Sequence, residues 1–348
     1  MFKKLILCAI FCTAKILNAQ TEVVVQAGHT ERVGAIAYSH NGLYLLTGGS
    51  DNTIILWDFK SGMQVRTYTG HSKGIVSLAF TNNDQQFISG SYDQTIKVWE
   101  TNTGKCVNTI DGFGFAFTQT VFSPDGYFMA ATNRDRTFNL WDLRNQPPVY
   151  HSFQSYENYG DMGDVCFDTL HNVYFCAWDG TIYVKNIFKD SDYTHFDTLR
   201  IPPEYGHLNS LEVTADGKYL IGGCDGSGDN GGDFFIMEKA THQIIYHKLN
   251  FIPYMGSYSQ AISISANGQY VAYCTNKDGV HILNLYSLQT DYKFQLPDCD
   301  AIKFSQAGMY LACASGTVVT EYNVRLGTAL HEYKGYTKGV NKIQISND

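Results

Sequence analysis

Short apolar runs recur along the chain in pairs, and a polar turn separates the members of each pair. The turns are Ser39-His40-Asn41-Gly42, Thr81-Asn82-Asn83-Asp84, Ser123-Pro124-Asp125-Gly126, Leu170-His171-Asn172, Thr214-Ala215-Asp216-Gly217, Ser265-Ala266-Asn267-Gly268 and Ser305-Gln306-Ala307-Gly308. Asn-Gly and Asp-Gly supply the positive φ that tight hairpin turns require. Behind the turns come runs such as Leu43–Leu46, Tyr219–Ile221 and Tyr310–Ala312. Continuous apolar runs of this length read as fully buried strands. The seven hairpins predict seven antiparallel sheets and an all-β chain.

A second pattern sits on top of the first. Residues 28–58 hold Gly28-His29, then Gly48-Gly49-Ser50-Asp51-Asn52-Thr53, then Trp57-Asp58. His29, Asp51 and Trp57 return 42 residues later as His71, Asp93 and Trp99. After another 42 come Phe113, Asp135 and Trp141. A Gly-His to Trp-Asp repeat of this period marks a four-stranded propeller blade. The chain is long enough for one such ring to use nearly all of it as a single domain, residues 21–348.

On these residues the chain resembles the WD-repeat β-propellers, strongly over residues 28–142 and more weakly to the C-terminus. With the leader described below, it is similar to a secreted, bacterial-type member. The resemblance implies a seven-bladed ring and a buried relay in each well-formed blade. In that relay the turn Asp accepts from His, His meets a hydroxyl, and the hydroxyl meets the indole of Trp. Blade 1 offers His29, Thr47, Asp51 and Trp57, and blade 2 offers His71, Ser89, Asp93 and Trp99. Such polar groups are tolerable inside because each has a partner. An Asp-His-Ser set also suggests a hydrolase triad. A triad, however, occurs once and needs an oxyanion site, whereas this set repeats from blade to blade.

The signature decays along the chain. Blade 3 keeps Asp135, Trp141 and Asp142 but has Phe113 and Ala131 at relay positions. Blade 4 keeps Asp179 and has Lys185 where Trp is expected. Blade 5 regains Gly206-His207, and blades 6 and 7 keep only turns and strands. Thr21–Gln26 reads as a surplus strand ahead of blade 1. Gly335-Tyr336-Thr337-Lys338-Gly339-Val340 resembles Gly70-His71-Ser72-Lys73-Gly74-Ile75, so residues of about 335–348 read as an incomplete further repeat.

Residues 1–20 stand apart. Lys3 and Lys4 precede the apolar run Leu5–Phe11, and Asn18-Ala19-Gln20 offers a cleavage site. This predicts a signal peptide and a secreted or periplasmic product. Its removal takes three Lys and no acid, leaving 22 basic side chains against 33 acidic, a net of −11. No basic run is present, which argues against nucleic acid, and no stretch suits membrane insertion. Seven cysteines remain in the mature chain. Cys166 and Cys176 flank the turn near Leu170-His171 and are expected to face each other as stacked core thiols.

In the WD-repeat topology the b–c turns and d–a connections share one face, which the resemblance makes the docking surface for a peptide or protein. The residue before each turn Asp is expected there: Ser50, Tyr92, Arg134 and Trp178. The d–a connections add Phe113, Phe115, Phe117, Tyr156, Tyr159, Tyr205, Phe251, Tyr254 and Tyr258. Tyr, Trp and Arg dominate interface energetics, so Tyr92, Arg134, Trp178, Phe115, Tyr159, Tyr205 and Tyr254 are the candidate partner-binding residues. Many of the remaining aromatics are expected to pack between blades that have lost Trp. The run Asp225 to Asp233 has oxygen ligands at alternate positions but departs from the EF-hand pattern, and a solvated insertion is its better reading. No cofactor, metal or catalytic residue is assigned. The rival reading is a lactonase-like propeller hydrolase with a metal or acid–base site in the central channel, using Asp164 and Asp300.

Overall fold

The computed structural model describes residues 28–111, 114–144, 148–154, 161–189, 195–225, 232–251, 262–275, 279–296 and 299–334. They form seven antiparallel sheets of four strands, a to d, each sheet built from consecutive strands. The a strands are Val33–Tyr38, Ile75–Phe80, Phe117–Phe122, Met162–Phe167, His207–Val213, Ile262–Ile264 and Cys299–Phe304. Each a strand packs beside the a strand of the next blade, and the seventh packs beside the first. The result is a closed seven-bladed propeller, as the hairpin count predicts. Among the described residues the helical content is one 3₁₀ turn, Pro203–Tyr205.

Burial follows the radial position of each strand. The b strands, such as Tyr44–Gly49 and Phe128–Asn133, are buried almost throughout. The outer d strands alternate or face solvent, as in Gln64–Tyr68 and Thr328–Tyr333. A sheet stacked on both faces needs continuous apolar strands in the middle and tolerates polar ones only at its rim. Accordingly there are seven apolar clusters, one at each junction between neighbouring blades. Stacking of whole blades therefore supplies the core, and each blade depends on its neighbours.

Where Trp is lost, other aromatics fill the junction. Phe138 of blade 3 stacks on Phe175 of blade 4 at 4.2 Å, and Phe175 stacks on Tyr183 at 4.8 Å. Phe234 of blade 5 stacks on Tyr273 of blade 6 at 4.2 Å. Lys185, at the Trp position of blade 4, is buried, with its amine donating to the His195 carbonyl at 2.7 Å and lying 5.4 Å from the Phe196 ring centre. Phe117 also belongs to the core, being fully buried at the start of its strand.

The first and last blades meet at a seam. Val33 N–H donates to the Gly316 carbonyl at 2.8 Å. Arg32 forms a bidentate ion pair with buried Asp300, which also accepts Gly316 N–H at 3.1 Å. Beneath them Glu321 is fully buried and accepts the hydroxyls of Tyr38 at 2.9 Å and Tyr333 at 3.0 Å. Burial pushes its carboxyl up to about 7, against the opposing pull of the two tyrosine hydrogen bonds. Blade 7 supplies its own d strand, so neither expected surplus strand is needed to complete a blade. Those two segments, the leader and the incomplete repeat lie outside the described residues.

One expected pairing is corrected. Cys166 lies opposite Tyr174, not Cys176, because the hairpin centres on Leu170; a bulge lies farther from the turn, between Met162 and Val165. Both thiols are free and share the junction of blades 4 and 5 with Cys224. At that bulge Gly163 runs against blade 5. A Cβ there would sit 2.9 Å from the Leu208 carbonyl and 2.8 Å from Cys176 Sγ.

Candidate docking face and central channel

The relay is complete in blades 1 and 2. His29 Nδ1 lies 3.0 Å from Asp51, His29 Nε2 lies 2.8 Å from Thr47 Oγ1, and Trp57 Nε1 donates to Thr47 Oγ1 at 2.8 Å. In blade 2 the matching distances are 2.7 Å for His71–Asp93, 2.7 Å for His71–Ser89 and 2.8 Å for Trp99–Ser89. A neutral imidazole satisfies every member: Nδ1–H donates to Asp, and the hydroxyl donates to Nε2 while accepting the indole N–H. Burial alone would raise the Asp51 carboxyl. Hydrogen bonds from His29, Thr53 and the Thr30 amide outweigh it and hold that group well below the usual carboxylate range. For His71, burial lowers the imidazole against the opposing pull of Asp93.

Thr47 and Ser89 are fully buried against an indole, so neither hydroxyl can meet a substrate. Blade 3 has no such relay: Asp135 bonds only locally, to the Thr137 amide and hydroxyl. Trp141 there packs near Tyr150 at 5.4 Å. In blade 5 His207 is exposed and pairs with Asp225 at 3.2 Å, outside any relay.

The b–c turns are clipped to the segments that enter strand a of the same blade. The amides of Ser50, Tyr92, Arg134 and Trp178 donate to the carbonyls of Arg32, Gly74, Ala116 and Asp161, at 2.8, 3.0, 3.1 and 3.0 Å. This recurrent bond sets the residue before each turn Asp on one rim. Tyr92 and Arg134 meet across the junction of blades 2 and 3, with the guanidinium carbon 5.3 Å from the ring centre. Such a contact prearranges a cation and an aromatic ring. Phe115, which precedes the Ala116 whose carbonyl accepts the Arg134 amide, is 54% exposed.

Trp178 is half-buried and stacks on His207 at 5.5 Å. Tyr205 is half-buried against the junction of blades 4 and 5 and stacks on His247 at 4.4 Å. His247 in turn lies 3.3 Å from Asp233. Asp225 and Asp233, the ends of the acidic run, are thus each engaged by a histidine. The middle of that run lies outside the described residues, as do Phe113, Tyr156, Tyr159, Tyr254 and Tyr258.

The a strands enclose a cavity of about 250 Å³ that opens among the a–b turns. Its charged lining is Asp164, Glu212 and Lys303, with Lys303 Nζ 3.2 Å from Glu212. Asp164 accepts the amides of Val165 at 2.8 Å and Leu211 at 3.1 Å. Burial, followed by repulsion from Glu212, pushes its carboxyl up to about 7. Asp300 turns instead to Arg32 in the seam, so the two carboxylates proposed to share a channel site do different work. Among the described residues no three His, Cys, Asp or Glu side chains converge as a metal site requires, and no helix is long and apolar enough to cross a membrane.

The family model of the WD domain, G-beta repeat, matches residues 20–58, 62–100 and 104–142. These are the first three repeats, the ones that retain the Asp and Trp signals. The fold is similar to a solved structure titled "Structure of U3-55K", with a TM-score of 0.71, 16% identity, and coverage of 84% of this chain and 91% of that one. At that identity the likeness shows the propeller fold and nothing more specific.

Proposed function

We propose that this propeller, whose first three blades are WD repeats, is a non-catalytic scaffold that binds a protein or peptide on the rim of b–c turns and d–a connections. The observation that carries the reading is the Tyr92–Arg134 stack, on a rim where Phe115 is exposed. Tyr and Arg are types that anchor interfaces, and here they meet on a backbone fixed by repeated hydrogen bonds. A rigid scaffold keeps the ordering cost of binding low. Trp178 on His207 extends the same rim to blade 4.

The partner is a polypeptide and not a nucleic acid, on this reading, because the net charge of −8 and the absence of a basic run disfavour phosphate. The N-terminal segment, with Lys3 and Lys4 before Leu5–Phe11, supports export of the protein. The experiment is affinity capture from the native extract, with the wild-type chain compared against the triple variant Tyr92→Ala/Phe115→Ala/Trp178→Ala. Loss of the captured species by a variant that keeps the wild-type circular dichroism supports the reading. Identical capture by both proteins overturns it.

The rival enzymatic reading has one observation in its favour, the channel carboxyl of Asp164 held near neutrality beside Glu212 and Lys303. A group that gains and loses a proton near pH 7 is suited to general acid–base work. A screen of lactones and esters against wild type and Asp164→Asn separates the two readings, since only a hydrolase loses turnover.

A further inference from the structure

A cleft of about 660 Å³ opens between blades 4 and 5, within the range of about 300–1,000 Å³ typical of small-molecule sites. One wall belongs to blade 4. It presents Val184 of strand c, Thr181–Asn186, which is buried, and Leu199 of strand d, Asp197–Arg200, which is half-buried. The other wall belongs to blade 5. Lys218 there follows the a–b turn, and Lys239 and His242 lie on the turn that joins strands c and d. These turns are at the opposite strand ends from the b–c turns, so the cleft and the proposed docking rim are on different faces.

Lys239 is anchored in this wall. Fully buried Asp168 accepts the Tyr174 hydroxyl at 2.7 Å, and the same hydroxyl oxygen accepts Lys239 Nζ at 2.6 Å. Gly217, with a φ of 68°, lets the a–b turn of blade 5 lie against this chain of bonds. A Cβ there would sit 2.5 Å from Asp168 Oδ2 and 3.5 Å from the Tyr174 hydroxyl. Asp168 thus reaches Lys239 only through a phenol. An ammonium has three N–H donors, and Tyr174 takes one. Among the described residues neither Lys218, Lys239 nor His242 forms an ion pair, and Lys218 lies against the Tyr219 ring, 4.6 Å from its centre. Asp197, on the facing wall, is the one carboxylate of the lining.

We propose that this cleft binds a small amphiphilic anion, a carboxylate carried on an apolar body of the fatty-acid kind. The apolar body covers Val184 and Leu199, and the carboxylate meets Lys239, with Lys218 and His242 beside it. A hydrogen bond between an ammonium and a carboxylate is about twice as strong as a neutral one. A lysine already held at its Nζ also loses little freedom when the ligand arrives. The alternatives fit less well. A bare inorganic anion leaves the apolar wall uncovered, and a neutral apolar molecule would cover the Lys239 charge without pairing it, which is costly. A cation would face two lysines for one aspartate. Asp197 repels the anion and limits its affinity.

The test is isothermal titration calorimetry of the full chain with decanoate, acetate and decyltrimethylammonium, each kept below its micellar concentration. One decanoate should bind per chain, with acetate at least about tenfold weaker for want of an apolar body. Decyltrimethylammonium should not compete for the site. Lys239→Met should weaken decanoate about tenfold, and Asp197→Asn should tighten it, an effect that no loss of folding can imitate. Circular dichroism checks each variant, and exposed Lys218→Gln replaces Lys239→Met if that variant does not fold. Absence of decanoate binding overturns the proposal, as does equal binding of decyltrimethylammonium. So do an unchanged affinity in both lysine variants, a weaker one in Asp197→Asn, or a loss caused by Lys303→Gln in the central cavity instead. The inference does not depend on what the docking face binds.

Discussion

Glu321→Gln is the sharpest test of how the ring closes. Glu321 is fully buried between blade 7 and Tyr38 of blade 1, and its carboxyl is pushed from the usual 4.5 up to about 7. The folded protein therefore holds a proton there that the unfolded chain releases above pH 4.5. The stability from this site is fully present below pH 4.5 and is lost as pH rises through about 7. At about 1.4 kcal/mol for each pH unit, the loss amounts to about 3 kcal/mol. Glutamine keeps the shape: its carbonyl accepts from one tyrosine hydroxyl and its amide donates to the other, so neither phenol is orphaned. The variant should match wild type near pH 4.5 and exceed it at pH 8 by about 3 kcal/mol, which for a domain of this size is about 6 °C in melting temperature. The assay is thermal and urea unfolding followed by circular dichroism at several pH values. A difference that does not change with pH, or a variant less stable at pH 8, would refute the reasoning.

Asp93→Ala orphans His71, the Ser72 amide and the Thr95 hydroxyl, and should lower unfolding free energy by about 1–3 kcal/mol. Asp135→Ala breaks only local bonds to Thr137 and should cost less in the same urea titration. Arg32→Ala removes the cation from buried Asp300 and should destabilise the seam by about 1–3 kcal/mol, the partial exposure of Arg32 keeping the loss modest. Its melting temperature, compared with that of Arg32→Lys, shows whether the bidentate geometry matters. Below about pH 6.5 stability should also begin to fall through His71, whose folded value is depressed by burial. His71→Gln should flatten that part of the acid unfolding curve. Tyr92→Ala and Trp178→Ala should each weaken partner capture in a protein that still folds, with a lowered melting temperature because Tyr92 packs against the cluster of blades 2 and 3 and Trp178 stacks on His207.

The blades and their number were legible in the sequence because each blade is local. Four consecutive strands, a turn residue with positive φ such as Gly42 or Gly126, and a relay whose His29 and Asp51 lie 22 residues apart all leave marks a few tens of positions apart. The most decayed blades were legible only as turns and strands, since Phe138–Phe175 and Phe234–Tyr273 replace the indoles with contacts that follow no fixed motif. Cys166 does not face Cys176 for a small reason: the turn centres one residue earlier than the sequence suggests, and that shift changes the partner of Cys166.

What tertiary structure alone decided lies at the junctions. Tyr38 reaches Glu321 across 283 positions and Arg32 reaches Asp300 across 268, and nothing periodic announces either pair. Cys274 and Cys313 likewise share one apolar cluster only because blades 6 and 7 stack. Local hydrogen bonding writes the strand and turn pattern into the order of residues. The contacts that seal the ring depend on which faces meet after the sheets have curved round to close, and that order does not encode them position by position.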